Sequence, residues 1–311
     1  MKRTFHLCLS SDNEVMFRDE IDYNRGFNTF ALALYKTDST GLVESFMSNH
    51  VHMLVQTDNP DQFMQAYRMP YTKYFNNRYK RSGRLGEAHH FTLEIKGLYH
   101  HIAAASYILR NPLHHGVAPI PYAYPHSSVN VIFQKEMGKK PDKDLIPYTS
   151  FYRYIGRHSL CPDSYKMNSS GLFLRESVLD IPQMENMFVT PRNFDYHMGR
   201  RTSEDWIKEQ ENDRNDSASV TLGLIESNVQ LTSLKEMLIL ESGRADYRKI
   251  SDIDLCHEID RKVTEELHET SIYSLSHEEK MNLARCMKSK YYSGEAQLCR
   301  CLALEHSSYH R

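Results

Sequence analysis

The chain has 311 residues, 38 Lys plus Arg against 40 Asp plus Glu, and a formal net charge of −2, so the overall balance names no polyanionic partner. That length predicts two or three domains, with either half long enough to bury a core. Six scattered cysteines form no C-x-x-C pair and fit a reducing compartment; no stretch nears the ~20 apolar residues of a membrane span, and the apolar run after Met1 is too short for a signal peptide, so a soluble, cytoplasmic protein is expected.

Thr4 to Ser10 reads as a strand with Phe5, Leu7 and Leu9 on one face, broken by Asp12 and Asn13. From Asp19 to about Tyr35, Ile21, Tyr23, Phe27, Phe30, Ala31 and Leu34 recur at helical spacing. Gly41 opens a second strand, and after a polar break at Ser48 and Asn49 a third follows, carrying His50 and His52. Side chains alternate along a strand, so both imidazoles point the same way, with Val51 on the other face. Two imidazoles on one face are the beginning of a divalent-metal site, and it needs a third ligand.

Asn59, Pro60 and Asp61 start a second helix with the apolar stripe Phe63, Tyr67, Tyr71, Tyr74 and Phe75, kinked at Pro70. The stretch from Asp61 to Ile120 is locally basic. The residues placed to contact a DNA backbone are Lys73, Arg78, Lys80, Arg81, Arg84 and Arg110. Phe91 to Ile95 is the last strand of the region, and Tyr99 to Arg110 a third helix, stopped by Asn111 because Pro112 disfavours helix before it. The order β-α-β-β-α-β-α begins with the ferredoxin-like arrangement, so the fold class expected is α+β: an antiparallel sheet with helices on one face, followed by a mostly helical C-terminal region. Residues 1–135 form the first domain, 136–219 a mixed connecting region of no assigned chemistry, and 220–311 a helical domain.

In that last part, helices are expected over Leu231 to Leu240, Ile253 to Leu267, Ser276 to Lys290 and Gly294 to Leu304, after an acidic connection from Lys208 to Ser219. Ser276 and Glu279 match a capping box, and the final pair of helices around Gly294 has the spacing of a helix-turn-helix.

In the third helix Tyr107 and Asn111 are four residues apart and share a face. If that helix packs on the His50 strand, Asn111 becomes the third ligand and Tyr107 stands over the metal. Two imidazoles and an amide oxygen suit Mg²⁺ or Mn²⁺ with positions left open for a phosphate. The doublets His89–His90, His100–His101 and His114–His115 read instead as exposed, since adjacent side chains diverge. The series Tyr67, Tyr71, Tyr74 and Tyr79 reads as core and solvated edge.

The segment MSNHVHMLV over residues 47–55 resembles the His-hydrophobic-His (HUH) motif of single-tyrosine transposases. SYILRNPLHHG over residues 106–116 resembles the catalytic-helix signature of the REP-associated tyrosine transposases. YFNNR (74–78), SGRL (82–85) and YPHSS (124–128) fall where that family has similar residues, so the resemblance spans about residues 3 to 133. The chain departs from the family at Ser10 to Asp12, where an Arg-Gly pair is more usual, and at Gly86 to His89, which replaces an aromatic, basic stretch.

The resemblance implies that His50, His52 and Asn111 are metal ligands and Tyr107 a nucleophile that forms a 5′-phosphotyrosine. It implies single-stranded DNA, with a hairpin or palindromic element, as partner, a monomer or homodimer without membrane attachment, and a bacterial, nucleoid-associated setting. Two rivals stand beside it. One is a DNA-binding descendant that no longer cuts. The other is a histidine-triad nucleotide hydrolase, which would need a further His where this chain has Leu54.

Overall fold

Four strands and three helices build the N-terminal part of the computed structural model, which describes residues 2–199, 250–291 and 293–305. They follow as β1 (Arg3–Ser10), α1 (Glu20–Lys36), β2 (Thr40–Met47), β3 (His50–Thr57), α2 (Pro60–Tyr79), β4 (Phe91–Ile95) and α3 (Leu98–His114). The sheet order is β2-β3-β1-β4 with every neighbouring pair antiparallel, the ferredoxin-like arrangement expected. Local chemistry sets the helix starts. Asp19 accepts from the Asp22 N–H ahead of α1, and Asn59 accepts from the Gln62 N–H ahead of α2, with Pro60 in its first turn.

The two faces of the sheet differ. Phe46 on β2 and Val51 opposite it on β3 face α1 and α2, where Phe46 meets Phe27, Phe30 and Tyr67. His52 and its neighbours face α3. So α1 and α2 share one face, and α3 covers the other.

One detail departs from the expectations. α3 continues through Pro112 to His114 rather than stopping at Asn111, while α2 holds Pro70 within its span. Pro112 lies in the last turn, so its missing N–H removes one ladder bond. Its carbonyl is still used, accepting from Val117 and Ala118.

Residues 136–199, the described part of the mixed connecting region, pack onto the sheet domain after a largely exposed irregular stretch over 139–144. They form the two-stranded pair β5 (Leu145–Ile146) and β6 (Met167–Asn168) and the short helices α4 (Tyr152–Ile155), α5 (Arg175–Val178), α6 (Ile181–Phe188) and α7 (Pro191–Gly199). Phe151, Phe173, Met184 and Phe194 belong to the same buried cluster as Phe27 and Val51. Arg175 pairs at 2.6 Å with Glu44, a wholly buried carboxylate on β2. The outer edge of β2 is closed by two segments: the Phe46 N–H donates to His126 O in the chain after α3, and the Asp180 N–H from this region donates to Gly41 O.

The C-terminal helices α8 (Asp252–Glu265), α9 (His277–Tyr291) and α10 (Glu295–Leu302) lie where the periodicity placed them, and the Ser276–Glu279 capping box is made. The helix expected over Leu231 to Leu240 and the acidic connection from Lys208 to Ser219 lie outside the described residues. Leu255, Ile259, Met287, Leu298 and Leu302 form a second core, which takes in Val15 from the loop after β1. Buried charge holds the two cores together. Arg300 Nε donates to Asp252 Oδ2 at 2.7 Å, Ser48 Oγ donates to the same oxygen at 2.6 Å, and Arg18 pairs with Asp260 at 2.6 Å. Every residue from Ala296 to Leu302 is buried, so α10 has no free face with which to read a DNA groove. Among the described residues, no helix is long and apolar enough to cross a membrane.

Candidate functional site

Strand pairing brings His50 opposite Ser10 and His52 opposite Cys8 on β1. Residues facing each other across an antiparallel pair point to the same side, so the parity of β1 adds His6 to the histidine face. α3 lies over that face and brings Tyr107 and Asn111 down to it. His50 Nε2 is 2.9 Å from Asn111 Oδ1, and the rings of His52 and Tyr107 have centroids 5.5 Å apart. The two histidines, the amide and the tyrosine thus form one cluster.

Two further side chains fix how the histidines present themselves. Asn49 Nδ2 donates to Ser11 O at 3.0 Å, which turns its Oδ1 toward His50 Nδ1, 3.0 Å away. A carbonyl oxygen only accepts, and both His50 nitrogens face one, so a single ring proton serves either Asn49 or Asn111; with the proton on Nδ1, the Nε2 lone pair and Asn111 Oδ1 lie side by side, a pairing that a cation would relieve. His52 Nδ1 lies 2.9 Å from His6 Nε2, and His52 Nε2 is buried with no hydrogen-bond partner. With that His50 tautomer, and with His52 donating to His6, both strand histidines carry Nε2 lone pairs.

Burial keeps these rings neutral. It pushes His6 down to about 3 and His50 to about 4, and carries His52 and His115 well below the ordinary value of 6.5. His114, beside Arg110, is pushed down to about 4, chiefly by burial. Neutral imidazoles are what a metal requires of its ligands.

Among the described residues, no three His, Cys, Asp or Glu side chains are placed to hold an ion. A metal here would take the Asn111 amide as its third protein ligand. The donor set fits one: a buried imidazole nitrogen without a partner costs about 1–3 kcal/mol, and the adjacent His50 nitrogen and Asn111 oxygen can both offer lone pairs to a cation. The cluster is enclosed. His50, His52 and Asn111 are 0 % exposed and Tyr107 is 3 % exposed.

Sequence reasoning missed several members of this site. His114 and His115 are not exposed: His115 is buried with its ring centroid 5.3 Å from that of His50, and His114 lies 6.0 Å from Tyr107. His115 is one turn beyond Asn111 and so continues the same helix face, a signal hidden by the expected stop at Asn111. The other doublets have local roles. His90 approaches Asp61 at 3.2 Å, and His100 and His101 bond the carbonyls of Lys96 and Gly97.

The six basic residues divide. Arg78 is tied to Asp19 and Asp22, Arg81 is tied to Glu14, and Arg110 is buried in α3. Lys73, Lys80 and Arg84 are exposed. Of the tyrosines, Tyr67, Tyr71 and Tyr79 are buried and Tyr74 half-buried, as expected of a core stripe.

No protein-family model matches this chain, and no curated protein matches it. Among solved structures, a REP-associated tyrosine transposase bound to a REP hairpin is similar with a TM-score of 0.39 and 13% identity, over 45% of this chain and 84% of that chain.

Proposed function

We propose that this chain is a metal-dependent, single-tyrosine nuclease and strand transferase that cuts single-stranded DNA beside a hairpin. The observation that carries the reading is the placement of Tyr107 against His52 while Asn111 meets His50 at 2.9 Å, two strand histidines matched to two residues one helical turn apart. The residue pattern of 47–55 and 106–116 points the same way.

His50 Nε2, His52 Nε2 and Asn111 Oδ1 would hold Mg²⁺ or Mn²⁺, which when bound polarises the scissile phosphate and offsets charge on the leaving 3′ oxygen. Tyr107 Oη attacks phosphorus, the bond from phosphorus to the 3′ oxygen breaks, and that oxygen leaves as a 3′ hydroxyl. The tyrosine proton needs a base. His6 or His114, both neutral with ring centroids 6.0 Å from that of Tyr107, would take it and return a proton to the leaving 3′ oxygen. The DNA is left joined through its 5′ phosphate to Tyr107, so a 3′ hydroxyl can reverse the step without ATP.

A second reading, a DNA-binding protein that no longer cuts, is favoured by the enclosure of the site. The test is incubation with labelled single-stranded hairpins from the flanks of the gene, with Mg²⁺ or Mn²⁺, followed by a denaturing gel. A labelled protein band that disappears in Tyr107→Phe and in EDTA is expected. A band that persists in Tyr107→Phe overturns the nucleophile, and tight hairpin binding without any band favours the second reading.

A further inference from the structure

A groove of about 560 Å³ runs along the outer side of α2 and is lined by Arg68, Met69, Thr72, Lys73, Asn76, Asn77 and Arg84. Three of these are cations, three are neutral hydrogen-bonding side chains, and none is acidic. The neighbouring cavity of about 460 Å³ holds Lys80 and Arg81 but also Glu14, Glu87 and Glu305, so a phosphate there would meet three carboxylates. Charge alone therefore separates two adjacent depressions, one suited to a polyanion and one hostile to it.

The groove is built rather than incidental. Arg68 donates to the carbonyls of Leu85, Gly86 and Ala88, each at 3.1 Å, and also to Glu87 O, holding the loop after α2 against the helix. Asn76 Nδ2 donates to Gly83 O at 2.7 Å. These two side chains set the loop, and Lys73, Asn77 and Arg84 face solvent around it. Met69, 61% exposed, adds an apolar floor on which a sugar or base can rest.

Its position relative to the tyrosine site matters. α2 covers the sheet face opposite α3, and the loop bearing Arg84 leads into β4, an edge strand of the sheet. A strand lying in this groove and reaching Tyr107 passes around the β4 edge. We infer that the α2 groove, through Lys73, Arg84 and Asn77, binds the phosphodiester backbone of single-stranded DNA flanking the segment offered to Tyr107. The inference rests on the proposed DNA substrate but not on cleavage.

The test uses the full chain carrying Tyr107→Phe, so that binding is read without covalent capture. Fluorescence anisotropy with a hairpin bearing long single-stranded tails is measured across a salt series for this protein, for Lys73→Glu with Arg84→Glu, and for Lys73→Gln with Arg84→Gln. A control reverses the exposed pair Lys140 and Lys143, making the same change in net charge elsewhere. The groove variants are expected to bind on the order of tenfold more weakly, with the slope of log K against log salt shallower by about 1.4 for two lost single-strand phosphate contacts. The control stays close to the parent. Unchanged affinity and slope in the groove variants overturn the inference, as does an equal loss in the control. A parent that binds through the groove while wild-type protein forms no adduct leaves this inference standing and overturns the cutting reading.

Discussion

Asn49 and Asn111 hold His50 between two amide oxygens: Asn49 Nδ2 is committed to Ser11 O, so its Oδ1 faces His50 Nδ1 at 3.0 Å, and Asn111 Oδ1 faces Nε2 at 2.9 Å. His6 Nε2 lies 2.9 Å from His52 Nδ1, where either ring can supply the proton. Under the proposed reading, each strand histidine would be held through Nδ1 and offer Nε2 to a metal, with the supporting residue tuning ligand basicity and aim.

Replacing either support tests this directly. Asn49→Leu and His6→Phe are expected to weaken Mn²⁺ binding by about 10–100-fold while the far-ultraviolet circular dichroism stays that of the parent. Titration calorimetry reads the affinity. Parent-like binding in both variants would show that the tautomers are set otherwise.

Acid sensitivity follows from the buried rings. In the unfolded chain they titrate near 6.5, whereas burial pushes His6 to about 3 and His50 and His114 to about 4 in the folded chain. Above pH 6.5 both states are neutral and nothing is lost. As pH falls from 6.5 toward 4, the unfolded chain binds protons that the folded chain refuses. Stability then declines by up to about 1.4 kcal/mol per pH unit for each such histidine. Urea midpoints at pH 7.5 and pH 5.0 measure the decline, and a flat profile would contradict neutral burial.

The clasp between the two cores is a buried ion pair. Arg300→Ala leaves Asp252, still bonded to Ser48 and Gln297, without its compensating cation. Breaking one side of such a pair costs about 3–5 kcal/mol. Denaturant unfolding of the variant should show a loss of that size; a change under about 1 kcal/mol would mean the pair contributes little beyond shape.

A fragment ending at residue 135 should not fold cooperatively. It removes Phe151, Phe173, Met184 and Phe194 from the main core and strips Glu44 of Arg175. Size exclusion and urea titration of residues 1–135 against the full chain check this. A cooperative transition in the fragment would support the boundary expected at that point.

Periodicity carried much of this architecture. The parity of His50 and His52, and the four-residue step from Tyr107 to Asn111, were readable because each depends on local geometry alone. His6 escaped notice because Phe5, Leu7 and Leu9 defined the apolar face of β1, and attention to that face hid what the alternate residues share. Asn49 looked like a break between strands. Arg78 and Arg81 looked solvent-facing because charge can be counted along a chain, but their carboxylate partners Asp19 and Glu14 lie 59 and 67 positions away. Residues 136–199 gave no strong period, since they fold by filling gaps in a core built by others. The Arg18–Asp260 contact spans 242 positions, a separation that no local pattern encodes.

Enclosure of Tyr107 bears on how anything reaches it. A side chain that solvent scarcely touches is equally closed to a scissile phosphate, so under the proposed reading DNA is admitted only when the packing around α3 opens. That opening then gates cleavage and rejoining alike.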